Sequence, residues 1–288
     1  MAFILYFCIV WTTSTNFEEM KAEKILFITQ EMTPFVPASP IGTVCHNFLQ
    51  AIQDKVKEIR TFTPLWGNIN TRRNNLHEVI RLSGMNLIID DTDHPLIIKV
   101  ASLQSARMQV YFIENEDYFH NRLMTVDENG KEYSDNDERA IFFNLGVIEA
   151  VKKQRWCPEI IHCNSWMSAL VPLYIKSAYK EEPSFRDSKV ILSLYDDGFN
   201  EPLNEEFARK LLCKDMSAEL LDGMPAQVTY KDLMRLAIRN CDGIVISGIN
   251  VPAELIEYAK ELGKPVLPKQ TPEEFGESCY NFYNSLLG

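Results

Sequence analysis

Pro158-Glu-Ile-Ile-His-Cys-Asn-Ser-Trp-Met-Ser-Ala-Leu-Val-Pro172 decides the fold. Ile160 and Ile161 favour a strand, and Pro158 prevents an upstream helix from running into it. Trp166, Leu170, Leu173 and Tyr174 then recur at helical spacing. A buried strand, a tight loop and a helix follow one another within a short span. In an open α/β sheet, ligands bind just past the carboxyl ends of the strands. His162 to Trp166 are therefore expected at such an end. The competing reading makes His162 and Cys163 buried strand residues and Trp166 part of the core.

Outward from this stretch, strands and helices alternate. Ile25–Thr29 is an apolar strand without polar alternation, as expected when both faces are covered. A loop with Pro34, Pro37 and Pro40 follows. Val44, Phe48, Leu49 and Ile52 then mark a helix, and Glu58–Thr63 a second strand. Leu87–Asp90, Leu96–Ala101 and Met108–Ile113 are closely spaced strand-like runs, which predicts a hairpin or meander. Ser134 is expected to cap a helix with Asp137 in the capping-box position and Ile141, Leu145, Ile148 and Val151 on its buried face.

Val190–Leu194 and Gly243–Ile246 read as buried strands, and Leu233–Ile238 as part of a helix between them. Val251–Leu262 is a further helix, Pro265–Leu267 a short strand, and Thr271 the cap of a closing helix. Strands separated by helices predict an α/β, Rossmann-like fold: a mainly parallel sheet with helices on both faces.

The 288 residues carry a formal net charge of -11 and a pI near 5.0. No basic block is present, so nucleic acid is not an expected partner. Seven cysteines without a CxxC pair argue against a disulfide framework and a structural zinc site, and for a reducing, cytoplasmic setting. No cofactor or metal is expected. The apolar run Met1–Trp11 is too short to span a bilayer, and no membrane partner is expected. No Lys or Arg precedes it, unlike a signal peptide. Met20-Lys-Ala-Glu-Lys24 instead reads as a natural start, with residues 1–19 an extension that is not native and residues 20–288 one domain.

Four segments together resemble the glycogen and starch synthase family. Lys24-Ile-Leu-Phe-Ile-Thr-Gln-Glu31-Met-Thr-Pro34-Phe35 is similar to its opening strand, and Val110–Phe119 to its second ligand-facing segment. Ile161–Trp166 through Pro172 is similar to its HxHDWH-x-x-L-x-P stretch, and Cys241–Ser247 to its ADxVxTVSP strand. Order and spacing agree over most of Lys24–Glu257. The short synthase-like proteins of Bacteroidota are the nearest likeness.

The resemblance implies the N-terminal, acceptor-side half of a GT-B glycosyltransferase of glycogen biosynthesis. It further implies α-glucan or maltooligosaccharide as partner, and ADP-glucose handled with a second chain. Glu31, Gly42, His162, Asn164, Trp166 and Asp196 are the implied ligand-binding residues, with no catalytic residue assigned. Asp197 accompanies Asp196 in an Asp-Asp-Gly turn that could face the cleft.

Three departures from the family pattern imply loss of transfer activity. The Lys-Thr-Gly-Gly-Leu-Gly-Asp loop falls on Pro37–Thr43, which keeps only Gly42 and has Pro37 for the lysine. The second histidine and the aspartate of HxHDWH fall on Asn164 and Ser165. The residues after Ser247 read as two helices and a short strand, less than the family's donor domain needs. A pseudoenzyme, a non-catalytic glucan-binding or regulatory protein on the same scaffold, is the alternative.

His46, His77, His94 and His120 are isolated. Asp90-Asp91-Thr92-Asp93 lacks the later glutamate of a calcium loop and reads as a solvated turn.

Overall fold

The computed structural model describes residues 21–103 and 108–288. The expected non-native extension, residues 1–19, lies outside the described residues. The first strand, β1 (Lys24–Thr29), is followed by α1 (Pro40–Ile52) and β2 (Glu58–Pro64). An excursion adds β3 (His77–Glu78), β4 (Met85–Ile89), β5 (Thr92–Leu103) and β6 (Met108–Glu114), after which α2 (Asn136–Gln154) leads to β7 (Ile160–Asn164). Then come α3 (Val171–Lys176), β8 (Lys189–Leu194), α4 (Phe207–Leu211), α5 (Tyr230–Asn240) and β9 (Gly243–Ile246). The chain closes with α6 (Ala253–Glu261), β10 (Val266–Leu267) and α7 (Pro272–Leu287).

The strand order is β10-β9-β8-β7-β1-β2-β6-β5-β3, with β4 paired to β5. Every neighbouring pair from β10 to β6 is parallel. β4, β5 and β6 form the expected antiparallel meander at one edge. The chain runs outward from β1 through β2 and β6, then returns to lay β7 against the other side of β1. That reversal creates a switch point between β1 and β7, where strand-following loops diverge and leave a crevice.

Adjacent residues of β7 show how both faces are covered. His162 points to the side of α1 and α7, where its ring meets Phe48 and Tyr283 edge-on. Cys163 points the other way and lies near Cys241 at the end of α5. All five residues of β7 are buried.

Two local expectations change. Ser134 does not cap α2. Asp135 occupies the cap position and makes no side-chain cap bond, because its carboxylate is paired bidentately with Arg122 at 2.6 Å. Asp137 is likewise engaged elsewhere, by Lys210. The helix expected from Trp166 is broken into a single 3-10 turn, Trp166–Ser168, and then α3. Pro172 lies in the first turn of α3, where a missing N–H costs nothing. Thr271 caps α7 as expected, accepting from the Glu274 amide.

Candidate functional site

Sheet register brings the ends of β1 and β7 together, with Thr29 opposite Asn164 and Asn164 opposite Ser193 of β8. The loops that follow carry Gln30 and Glu31, Ser165 and Trp166, and Tyr195 to Asp197. A cleft of about 520 Å³ opens beside them, lined by Ala38, Ser39, Tyr195, Asp196, Gly248 and Lys269 among others. Gly248 permits the loop after β9 to approach the loop after β8 closely: an added Cβ would lie 2.8 Å from the Asp196 amide nitrogen.

Of the six residues singled out in the sequence, three reach this edge. Glu31 follows β1 and is only 7% exposed. Its carboxylate accepts from the Gln30 side-chain amide at 3.3 Å. Asp196 is exposed, lines the cleft and accepts from Asn250 at 3.4 Å. Gly42 lies inside the first turn of α1, and its amide donates to Ser39 Oγ at 2.9 Å. The Ser39 cap therefore takes the N–H of the one glycine retained in the loop, and Pro40 beside it has none.

The other three are drawn into the core. His162 is fully buried. Nδ1 is 2.5 Å from Tyr283 Oη, and Nε2 is 2.7 Å from Ser193 Oγ. Burial pushes its pKa down to about 3, so the ring is neutral and both nitrogens are engaged. Asn164 accepts from the Tyr195 hydroxyl at 3.1 Å and donates to the Ile28 and His162 carbonyls. Trp166 is 1% exposed and meets Phe199 edge-on at 5.0 Å. No face of its indole is open for a sugar to stack on. The physical reason is common to all three: the strand is covered on both sides, and α7 closes over His162.

Sequence reasoning missed Gln30, Ser165 and Lys269, and named Asp197 only as part of a turn. Ser165 has φ 73° and ψ 166°, a region almost reserved for glycine, which costs of order 1–3 kcal/mol. Its buried hydroxyl has no hydrogen-bond partner, and neither has Gln30 Oε1. The strained corner turns the Trp166 amide toward Asp197, whose Oδ2 accepts it at 3.1 Å. Tyr230 Oη approaches the other oxygen at 3.5 Å. Burial, opposed by the Trp166 hydrogen bond and assisted by the nearby Glu31 charge, pushes the Asp197 pKa up to about 6. The position of Ser165 within the HxHDWH-like stretch was the available signal. Lys269 gave none, since it reaches the cleft only through the fold.

The Lys269 ammonium donates to the Ser247 and Gly248 carbonyls at 2.8 and 3.2 Å. Among the described residues, no group of three or more His, Cys, Asp or Glu is placed to hold a metal ion. Among the described residues, no helix is long and apolar enough to cross a membrane.

A mainly parallel sheet with helices on both faces and a crevice past the strand ends defines a Rossmann-like domain, a class in which ligands bind outside the carboxyl ends of the strands. The chain belongs to the starch synthase catalytic domain family, which matches residues 24–258. The glycogen synthase of Pelodictyon phaeoclathratiforme is 35% identical over 208 residues, covering 69% of this chain and 42% of that protein. Those of Chlorobium chlorochromatii and Chlorobaculum parvum are 36% and 31% identical. They cover 88% and 92% of this chain, and 49% and 52% of their own length.

The fold is that of the catalytic domain of starch synthase IV from Arabidopsis thaliana bound to ADP and acarbose. The TM-score is 0.67 at 15% identity, covering 88% of this chain and 52% of that one. The chain thus spans about half the length of the relatives it matches. The expected nearness to short synthase-like proteins of Bacteroidota is not shown by these relatives, which are glycogen synthases of Pelodictyon, Chlorobium and Chlorobaculum.

Proposed function

We propose that residues 20–288 form the acceptor-side unit of an ADP-glucose-dependent α-glucan synthase, which binds α-glucan or maltooligosaccharide at the β1–β7 edge and does not transfer glucose alone. The observation that carries this reading is the charge of the edge. Asp196 lines the cleft, Glu31 and Asp197 follow the neighbouring strand ends, and Lys269, the one cation lining the cleft among the described residues, is tied to two carbonyls. Departure of a nucleoside diphosphate needs cations or oriented amides at the leaving group. Here the first-turn amide of Gly42 is spent on Ser39. A neutral polyhydroxyl ligand needs only hydrogen-bond partners, which Glu31 and Asp196 supply.

Catalysis, in this reading, requires a donor-carrying unit besides these residues. The same charge balance supports a non-catalytic glucan-binding role when no such unit engages. Calorimetric titration with maltotriose and with ADP-glucose, together with labelled-glucose incorporation into glycogen, tests the reading. Maltotriose binding without ADP-glucose binding or incorporation is the expected result. Incorporation by the purified chain overturns it.

A further inference from the structure

The loop after β8 carries Tyr195 and Asp196 past the first cleft and goes on to line a second, of about 400 Å³, a size that admits a small-molecule ligand. Phe199, Pro202 and Leu203 form one wall. Lys131, Tyr133 and Ser134, from the segment leading into α2, form the other. The two walls are stitched together: Glu132 accepts from the Asn200 and Glu201 amides at 2.9 and 3.0 Å. The guanidinium carbons of Arg122 and Arg139 lie 4.4 and 4.7 Å from the centre of the Tyr133 ring and hold it in place. Phe199 meets Trp166 and Tyr230 edge-on at 5.0 and 5.9 Å. It is only half-buried by them and lines the cleft with what they leave uncovered. A site shaped before its ligand arrives loses less entropy on binding.

The lining sets the class of ligand. Its charged side chains among the described residues are Lys131, Glu132 and Glu201. Glu132 spends both oxygens on amides, which leaves Lys131 and Glu201, one of each sign, exposed at the rim. No surplus charge selects an anion or a cation. The exposed Ser134 hydroxyl and Asn204 amide add neutral donors and acceptors. A wholly apolar ligand would take water from that rim without replacing its hydrogen bonds. An apolar ring wall beneath a charge-balanced polar rim suits a ligand that is apolar on one face and hydroxylated around its edge, which is the form of a pyranose ring.

We infer that this cleft is a second subsite for the glucan, with Phe199 as the apolar platform that the buried Trp166 does not provide. This rests on the reading of the β1–β7 edge as a glucan site. Because one loop lines both clefts, a long maltooligosaccharide engages both and a short one only one, so affinity rises with chain length.

Titrations with maltotriose and maltoheptaose, followed by calorimetry and protein amide shifts, test this. Maltoheptaose should bind at least about tenfold more tightly than maltotriose and shift the amides of Lys131–Asn136 and Phe199–Asn204. Phe199→Leu keeps an apolar contact with Trp166 and Tyr230 but removes the ring; it should bind maltoheptaose roughly three- to tenfold less tightly. The double variant Lys131→Ala, Glu201→Ala alters only exposed side chains, leaves the packing alone and should weaken binding in the same direction. Equal affinity of the parent and both variants for maltoheptaose overturns the inference. Shifts confined to Gln30–Glu31 and Asn164–Trp166 overturn it too, and leave the reading of the β1–β7 edge standing. Shifts confined to the second cleft keep this site and remove that edge. Binding of neither sugar removes both. A concentration-dependent dimer in sedimentation that Phe199→Leu abolishes also overturns the inference, because the cleft then serves a second copy of the chain.

Discussion

Asp197→Asn should stabilise the protein at alkaline pH and leave its stability unchanged in acid. Asp197 sits in the turn after β8, partly buried, and its folded pKa is raised to about 6 from an ordinary 3.8, first by burial. The Trp166 amide offsets part of that shift, and the Glu31 charge adds to it. Between these two values the folded protein keeps a proton that the unfolded chain has released. Stability therefore falls as pH rises through that window, and the penalty is fully present above about pH 6. A shift of about two units corresponds to a ceiling of roughly 3 kcal/mol. Partial access to solvent brings the expectation to about 1–3 kcal/mol.

Asparagine reproduces the neutral form: its oxygen can accept from Trp166 and its amide can donate toward Tyr230. Urea unfolding of parent and variant at several pH values measures the difference, in which other titrating groups largely cancel. The variant should be more stable by about 1–3 kcal/mol at pH 8, with the gap closing near pH 4. A pH-independent difference, or a variant less stable at pH 8, would refute the assignment of burial as the dominant influence on this carboxyl.

Three other substitutions probe the framework. Tyr283→Phe removes the hydroxyl 2.5 Å from His162 Nδ1 and leaves a fully buried ring nitrogen unpaired; a loss of about 1–3 kcal/mol in urea unfolding is expected. Gly276→Ala places a Cβ 2.5 Å from the Ala51 Cβ and should loosen the seating of α7 on α1 by about 1–3 kcal/mol. Adding Ala51→Gly should recover most of that loss, a coupling read by a double-mutant cycle. Lys210→Met leaves Asp137, 1% exposed at its side chain, without the ammonium 3.2 Å away; a cost of about 3–5 kcal/mol is expected, readable as a lowered thermal midpoint.

Much of the sheet was legible in the chain, because the signals are local. β1, β8 and β9 read as largely apolar runs, as strands covered on both faces do. The Thr271 cap was legible for the same reason, since a side chain reaching three residues ahead is set by sequence distance. The Ser134 cap failed because Arg122 and Lys210, distant in sequence, claim the carboxylates around it.

The candidate site divides in the same way. Sequence alone determined the family, the order of the strands along the chain and the presence of Glu31 and Asp196 just past strand ends. It could not determine that His162 lies under α7, since Tyr283 follows it by 121 residues and only packing brings the two together. Nor could it show that Ser165 adopts a glycine-like backbone with its hydroxyl unpaired, or that Lys269 closes on two carbonyls. Burial and pairing depend on which segments meet across the sheet, and those contacts decide whether a polar residue is a ligand-facing group or part of the core. For His162, Asn164 and Trp166 the tertiary structure chose the core; for Gln30 and Ser165 it left a polar atom of each without a partner where β1 and β7 diverge.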